Sequence, residues 1–388
     1  MNVLILTSSA DGGHTKAAEA LKEYIEQRNP SSKAQIIDAL KYVSPVIDKL
    51  ILGGYLKTVK STPALYGKLY DISESKNNIY HLSCTLSKAL SSKMMELVTK
   101  YEPSVVVCTH AFPLQILSAL VKSQKLTCPV VAIITDFTIH DFWIYDNVDA
   151  YVVANQTIKN EMLDRGIPED TVYPFGIPVS KSFLEHRNKN EILKSYDLQE
   201  NLLTVLVAGG SLGYGEIREV IKHLCASKID MQIIVLAGKN KRLKSSLEKQ
   251  IPSLSKVVKV FGYIDSVSAV MDASDLIITK PGGLTISEAL IKQLPVFLIS
   301  PIPGQEKRNA EFLLNYGAAI TISRYENIET QLRILLDNPS RKQYMMESAK
   351  LIAKPYASRD TTILIETLSG YCSNQNEPNC VPSPIKQQ

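Results

Sequence analysis

The sequence predicts an α/β protein made of two doubly wound units. Three observations carry this. Short apolar runs alternate with helical stretches in two successive sets, the pattern of a parallel sheet with crossover helices. A chain of 388 residues, 45% of them hydrophobic, is too long for one ordinary core and suits two domains. Glycine-rich turns follow several of the apolar runs, where open α/β sheets bind ligands.

In the first set, residues 3–7 read as a strand and 15–28 as a helix, with Ala17, Ala18, Leu21, Tyr24 and Ile25 on one stripe. A short strand at 36–38 leads into an irregular, largely helical stretch over about 42–100. Strands at 105–109 and 130–135 flank a helix at 114–121, and a strand at 150–154 precedes a helix near 158–165. Gly176 and Pro178 mark a linker. The second set has strands at 202–208, 233–237, 257–261, 276–279 and 296–299. Its helices fall near 216–226, 243–250, 266–271, 287–292, 310–315 and 329–336. The expected domains are residues 1–175 and 176–372, with a polar, disordered tail at 373–388.

Charged residues make up 21% of the chain and its formal net charge is +4, which argues against a nucleic-acid-binding protein. The six cysteines are scattered, without a CxxC pair, and read as free thiols of a reducing compartment. The amino terminus enters a strand directly, so no signal peptide is expected. No apolar stretch approaches the roughly 20 residues of a membrane span, so the expectation is a soluble or peripheral protein. HExxH and paired Cys/His spacings are both missing, and no metal site is expected.

The most informative run is Ile278-Thr279-Lys280-Pro281-Gly282-Gly283-Leu284-Thr285-Ile286-Ser287-Glu288. An apolar strand is followed by a Pro-Gly-Gly turn, with Thr285 as a candidate helix N-cap and Glu288 in capping-box position. The free N–H groups and positive dipole end of such a helix suit an anion, and glycines let a phosphate approach the backbone. A glutamate just inside the helix is placed to accept hydrogen bonds from a ribose, so the run reads as a nucleoside-diphosphate pocket. Gly209-Gly210-Ser211, followed by Gly213 and Gly215, forms a second loop able to present N–H groups to a diphosphate. Gly262-Tyr263-Ile264 is a candidate base-binding segment, and Gln305, Glu306 and Asn309 are candidate partners for sugar hydroxyls.

The first strand ends in Asp11-Gly12-Gly13-His14. A histidine at a strand-to-helix turn can take a proton from a hydroxyl near neutral pH, or simply cap the helix. The spacing GxGxxG of a dinucleotide fingerprint is absent. Asp136 and His140, in Thr135-Asp136-Phe137-Thr138-Ile139-His140-Asp141-Phe142-Trp143, are candidates to orient an acceptor or to assist His14. Trp143 suits a lipid interface or a core equally. His110 reads as structural or acceptor-side. Lysines alternate with Leu and Tyr over 41–100, as in a helix on an anionic membrane or an ordinary helix with a solvated lysine face.

Taken in order, these loops, with Gly238-Lys239-Asn240 and Pro303-Gly304-Gln305-Glu306, make the chain resemble the processive diacylglycerol glycosyltransferases and monogalactosyldiacylglycerol synthases, relatives of the lipid II N-acetylglucosaminyltransferase. The resemblance covers roughly residues 3–350. It implies a GT-B fold, two Rossmann-like domains facing across a cleft, with a UDP-sugar in the second and a diacylglycerol acceptor at the first. It implies inversion at the anomeric carbon without a cofactor or catalytic metal, His14 as general base, and Glu288 on the ribose. Gln305 and Glu306 would hold the sugar, and an anionic membrane surface on the cytosolic face would supply the acceptor. A nucleotide-sugar epimerase and a catalytically silent nucleotide-sugar binder are the alternatives.

Overall fold

A computed structural model describes residues 1–8, 12–43, 80–210, 213, 216–299 and 301–371. Ser211, most of the lysine-rich stretch and the expected tail lie outside the described residues. Two parallel six-stranded sheets form the frame. The first contains β1 (Asn2–Thr7), β2 (Lys33–Asp38), β3 (Val105–Cys108), β4 (Val130–Ile133), β5 (Ala150–Val152) and β6 (Val172–Tyr173), ordered β2-β1-β3-β4-β5-β6. The second contains β7 (Leu203–Ala208), β8 (Met231–Leu236), β9 (Val257–Phe261), β10 (Leu276–Thr279), β11 (Val296–Leu298) and β12 (Ala319–Thr321), ordered β12-β11-β10-β7-β8-β9. The strands are near-continuous apolar runs because helices cover both faces; Val105, Val106, Val107 and Cys108 of β3 are all fully buried.

Each sheet has one place where its strand order reverses, between β1 and β3 and between β7 and β10. Those switch points open a crevice at the strands' carboxyl ends, which is where α/β sheets bind ligands. The helices that border them are α1 (Gly12–Arg28), α4 (Ala111–Lys122) and α10 (Gly283–Ile291); α2 (Ala39–Val43) and α3 (Tyr80–Tyr101) precede α4. Between α4 and α10 come α5 (Gln156–Asp164), α6 (Lys189–Ser195), α7 (Ile217–Ala226), α8 (Lys241–Gln250) and α9 (Val267–Asp272). After α10 follow α11 (Gln305–Asn315), α12 (Ile328–Leu336), α13 (Pro339–Ile352) and α14 (Ala357–Leu368).

Helix α1 buries Ala18, Leu21 and Ile25 against Val3 and Ile5 of β1. Helix α14 joins the same cluster through Leu364 and Ile365, so this helix packs on the first sheet although it follows the second in sequence. Two polar contacts fix it there: Arg28 Nε meets Glu366 Oε2 at 2.9 Å, and Ser358 Oγ donates to the Val179 carbonyl at 2.7 Å. The linker is pinned as well. Gly176 has φ +101°, and a Cβ there would stand 2.3 Å from Lys354 Cβ, so no side chain fits.

Three expected boundaries move. Helix α10 starts at Gly283 behind Gly282, without a side-chain cap, so Thr285 and Glu288 stand inside the helix and the capping box does not form. Helix α1 starts at Gly12, which puts His14 in its first turn rather than ahead of it. Helix α11 starts at Gln305, five residues earlier than expected. Of the lysine-rich stretch, residues 94, 97 and 98 turn inward as core side chains, and Lys93 Nζ donates to the Val43 carbonyl at 2.9 Å.

Candidate active site in the interdomain cleft

The carboxyl edge of the first sheet presents side chains. His14, in the first turn of α1, is half-buried, and its Nδ1 lies 2.6 Å from Thr135 Oγ1 at the end of β4. The His110 ring packs edge-on against it, with centroids 4.8 Å apart and planes at 83°. His110 caps α4 by accepting the Phe112 N–H at Nδ1, 3.1 Å away. Burial, reinforced by the neighbouring His14, pulls the His110 pKa down to about 3, so this ring is neutral at any physiological pH. Beneath the pair, the hydroxyls of Thr7 and Thr109 are buried without a hydrogen-bond partner.

The carboxyl edge of the second sheet presents backbone. Gly210 and Gly213 follow β7 with φ +65° and +60°, and a Cβ at Gly213 would come within 2.0 Å of the Ala237 carbonyl oxygen. Only glycine fits this turn. Asn240 Nδ2 donates to the Gly213 carbonyl at 3.1 Å and fixes the loop from outside. After β10, the uncapped first turn of α10 keeps its N–H groups available to an anion.

Between α1 and the edge of the second sheet lies a cleft of about 290 Å³, lined by Lys16, Glu19 and Glu23 of α1, by Gly210, Gly262 and Tyr263, and by Leu284, Thr285 and Glu288 of α10. Burial pushes the Glu288 carboxyl up to about 8, with Lys16 opposing the shift. Tyr263 is partly exposed, and two ammonium groups flank its ring: Lys16 Nζ at 5.2 Å and Lys239 Nζ at 5.4 Å. Burial alone would depress the Lys16 ammonium. Its pairing with Glu19 at 2.6 Å and its bond to the Tyr263 hydroxyl outweigh that, and hold it charged.

Where the units touch, a Cβ at Gly283 would stand 2.1 Å from the Thr135 carbonyl oxygen, so α10 begins directly against the end of β4. Asn309, fully buried, ties the same junction. Its Oδ1 accepts the Phe137 N–H at 2.9 Å, and its Nδ2 donates to Asp136 Oδ1 at 2.9 Å and to the Pro281 carbonyl at 3.0 Å. Gln305 donates to the other Asp136 oxygen.

This geometry changes the roles of several residues expected at the site. Asp136 faces Asn309 and Gln305 across the junction, and the partner of His14 is Thr135 instead. Asn309 is an interdomain tie because its amide is wholly consumed by protein groups. Glu306 turns back on its own loop, accepting the Ile302 N–H at 2.8 Å and standing 3.7 Å from Lys280. His140 caps the short turn Asp141–Trp143 by accepting the Phe142 N–H at Nδ1, 3.1 Å away. Trp143 is 6% exposed and belongs to the main core, which removes it from a lipid interface; the exposed ring of that turn is Phe142, 43% accessible. Gly210, Tyr263, Leu284, Thr285 and Glu288 line the cleft; Gly209 and Gly283 adjoin lining residues in sequence, Gly282 precedes α10, and Gly13 stands in the first turn of α1. Sequence reasoning missed Thr135 and Lys16. Thr135 follows an apolar strand and opens the 135–143 run, in which Asp136 and His140 read as the more chemical residues.

The profile of the monogalactosyldiacylglycerol (MGDG) synthase family matches residues 14–179, and that of the glycosyltransferase family 28 C-terminal domain matches residues 204–360. A processive diacylglycerol beta-glucosyltransferase of Bacillus licheniformis is 30% identical over 357 residues, 90% of each chain. A protein of the same description from Bacillus cereus is 31% identical over 391 residues, covering 98% of this chain and 96% of its own. The chain belongs to this glycosyltransferase family. Its members' GT-B architecture is what the two sheets build. Acinetobacter baumannii MurG superposes with a TM-score of 0.61 at 15% identity, over 94% of this chain and 99% of that one. The UDP complex of Staphylococcus aureus MnaA gives 0.62 at 12%, over 97% and 98%. Both likenesses concern the fold.

Proposed function

We propose that this glycosyltransferase moves glucose from UDP-glucose to the free hydroxyl of 1,2-diacylglycerol, forming a membrane glycolipid. The observation that carries the reading is the meeting of two edges: a histidine whose Nδ1 is engaged by Thr135, opposite an uncapped helix start and a glycine loop. His14 takes the proton of the acceptor hydroxyl, whose oxygen attacks the anomeric carbon. The leaving diphosphate is stabilised by backbone N–H groups of the glycine loop and the first turn of α10, an oxyanion-type role that needs no metal. Glu288 accepts from the ribose, Gly262 and Tyr263 border the base, and Gln305 borders the sugar. A β-glucoside formed from an α-linked donor requires one inversion, as a single displacement gives.

The acceptor lies in a bilayer, so the reading places the enzyme peripherally on the inner face of the membrane, against anionic lipid. Among the described residues no helix is long and apolar enough to cross a membrane. The lysine, leucine and tyrosine side chains of the 41–100 stretch supply the matching surface chemistry.

The test is incubation of the full chain with dioleoylglycerol vesicles and either UDP-glucose or UDP-galactose, following UDP release and lipid products. β-Glucosyldiacylglycerol from UDP-glucose is expected. Release of a free epimerised sugar nucleotide, or binding without any glycolipid from either donor, overturns the reading.

A further inference from the structure

His14, His110 and His140 stand on the first unit, and they are not held alike. His110 Nδ1 accepts the Phe112 N–H and His140 Nδ1 accepts the Phe142 N–H, each at 3.1 Å. A backbone N–H can only donate, so the neutral ring in both cases carries its proton on Nε2. Neither residue can offer Nε2 as a base. His14 alone has its Nδ1 against a hydroxyl, Thr135 Oγ1 at 2.6 Å, and a hydroxyl oxygen is able to accept.

We propose that Thr135 is the positioning residue of His14: its Oγ1 accepts the Nδ1–H, which places the lone pair on Nε2, the nitrogen that takes the acceptor's proton. The inference rests on the reading of His14 as the general base. Thr135 is 5% exposed, so the bond is shielded from competing water. The edge-on ring of His110 closes one side of His14 while the threonine fixes its nitrogen, and together they leave the imidazole one orientation. His110 is neutral and so adds no repulsion when His14 gains a proton. Of the charged groups nearby, Asp136 accepts from Asn309 and Gln305, and Lys16 pairs with Glu19 and the Tyr263 hydroxyl.

Thr135 also sets a distance. Its carbonyl oxygen is the atom against which Gly283 packs, so the residue that orients the base also seats the first residue of the donor-side helix. The opposite hydrogen bond, Thr135 donating to Nδ1, would leave the proton on Nε2 and no base facing the acceptor. The two arrangements differ in an observable.

Thr135→Val keeps the shape and removes the oxygen; Thr135→Ser keeps the oxygen. In ¹⁵N-histidine-labelled protein the ring nitrogens of His14 report the tautomer directly, Nδ1–H being expected. Thr135→Val is expected to lower kcat with dioleoylglycerol vesicles and UDP-glucose about 10²-fold, the scale of a misplaced reacting group. Its UDP affinity should be unchanged and its His14 Nδ1–H signal weakened, and Thr135→Ser should recover most of the turnover. A wild-type His14 proton on Nε2, or wild-type kcat in Thr135→Val when His14→Gln is inactive, overturns the positioning role alone. Turnover retained in His14→Gln overturns the base reading, and the positioning role with it.

Discussion

The carboxyl edges of the two sheets have the same topology and opposite chemistry. Beside the β1/β3 switch stand side chains, His14, His110 and Thr135, held by bonds of 2.6 to 3.1 Å. The β7/β10 switch also offers main-chain groups, exposed by Gly210, Gly213 and the uncapped start of α10, beside the Glu288 and Tyr263 side chains. Two threonines that close strands show the contrast in one atom each. Thr279 Oγ1 is spent on the Ala208 carbonyl at 3.0 Å, whereas Thr135 Oγ1 is spent on a histidine. A proton must be moved by a group that titrates, while a diphosphate is held well by fixed dipoles that do not. On the function proposed above, proton transfer belongs to one sheet and charge stabilisation to the other, and the two adjoin where Gly283 meets Thr135.

The largest effect should come from breaking the first edge. His14→Ala is expected to lower kcat about 10²- to 10⁴-fold, the worth of a positioned general base. Steady-state turnover on dioleoylglycerol vesicles measures it.

Next is the junction. Gly283→Ala puts a methyl 2.1 Å from the Thr135 carbonyl oxygen, between two backbones that cannot rotate away. A separation of the edges by about 1 Å would cost about 10²-fold in turnover, with about 1–3 kcal/mol of stability lost to overpacking. Full activity in this variant would show that the spacing of the edges does not matter.

A smaller effect is expected from Asn309→Ala, which removes the tie without adding bulk. It leaves the buried Phe137 N–H and one Asp136 oxygen without their Asn309 bonds. Denaturant unfolding should show a loss of about 1–3 kcal/mol per group so stranded, with turnover falling less than in Gly283→Ala.

The smallest effect sharpens the second edge. The Glu288 carboxyl in the cleft is pushed up to about 8 from an ordinary 4.5. The folded state therefore keeps a proton that the unfolded state gives up. The stability this contributes is complete below about 4.5 and is lost as pH rises through about 8. Glu288→Gln should flatten that part of a plot of Tm against pH; an unchanged slope would show that the carboxyl is not buried in this way.

Much of the frame was legible in the sequence because parallel strands buried on both faces are unbroken apolar runs, as in β3 and β10. The strands that escaped are short: β6 has two residues and β12 three. Helix α14 escaped because Thr361-Thr362-Ile363-Leu364-Ile365 has β-branched, strand-like character, and only packing against α1 makes it helical. The start of α10 was misplaced because Thr285 and Glu288 imitate a capping box that the Gly283 contact pre-empts. In the site, glycines were readable since their spacing is local. Asn309 was not, because its partner Phe137 lies 172 residues away and an amide's role depends on what surrounds it. Thr135 was passed over for the same reason: its neighbour Asp136 looks the more chemical residue, and only the fold turns it toward Asn309.

The most direct test of divided labour is the affinity of His14→Ala for UDP, measured by calorimetry beside the wild-type chain. Equal dissociation constants, in a variant that has lost turnover, are what separate edges require. A weakened UDP affinity in His14→Ala would contradict the account, because the histidine would then belong to the diphosphate site.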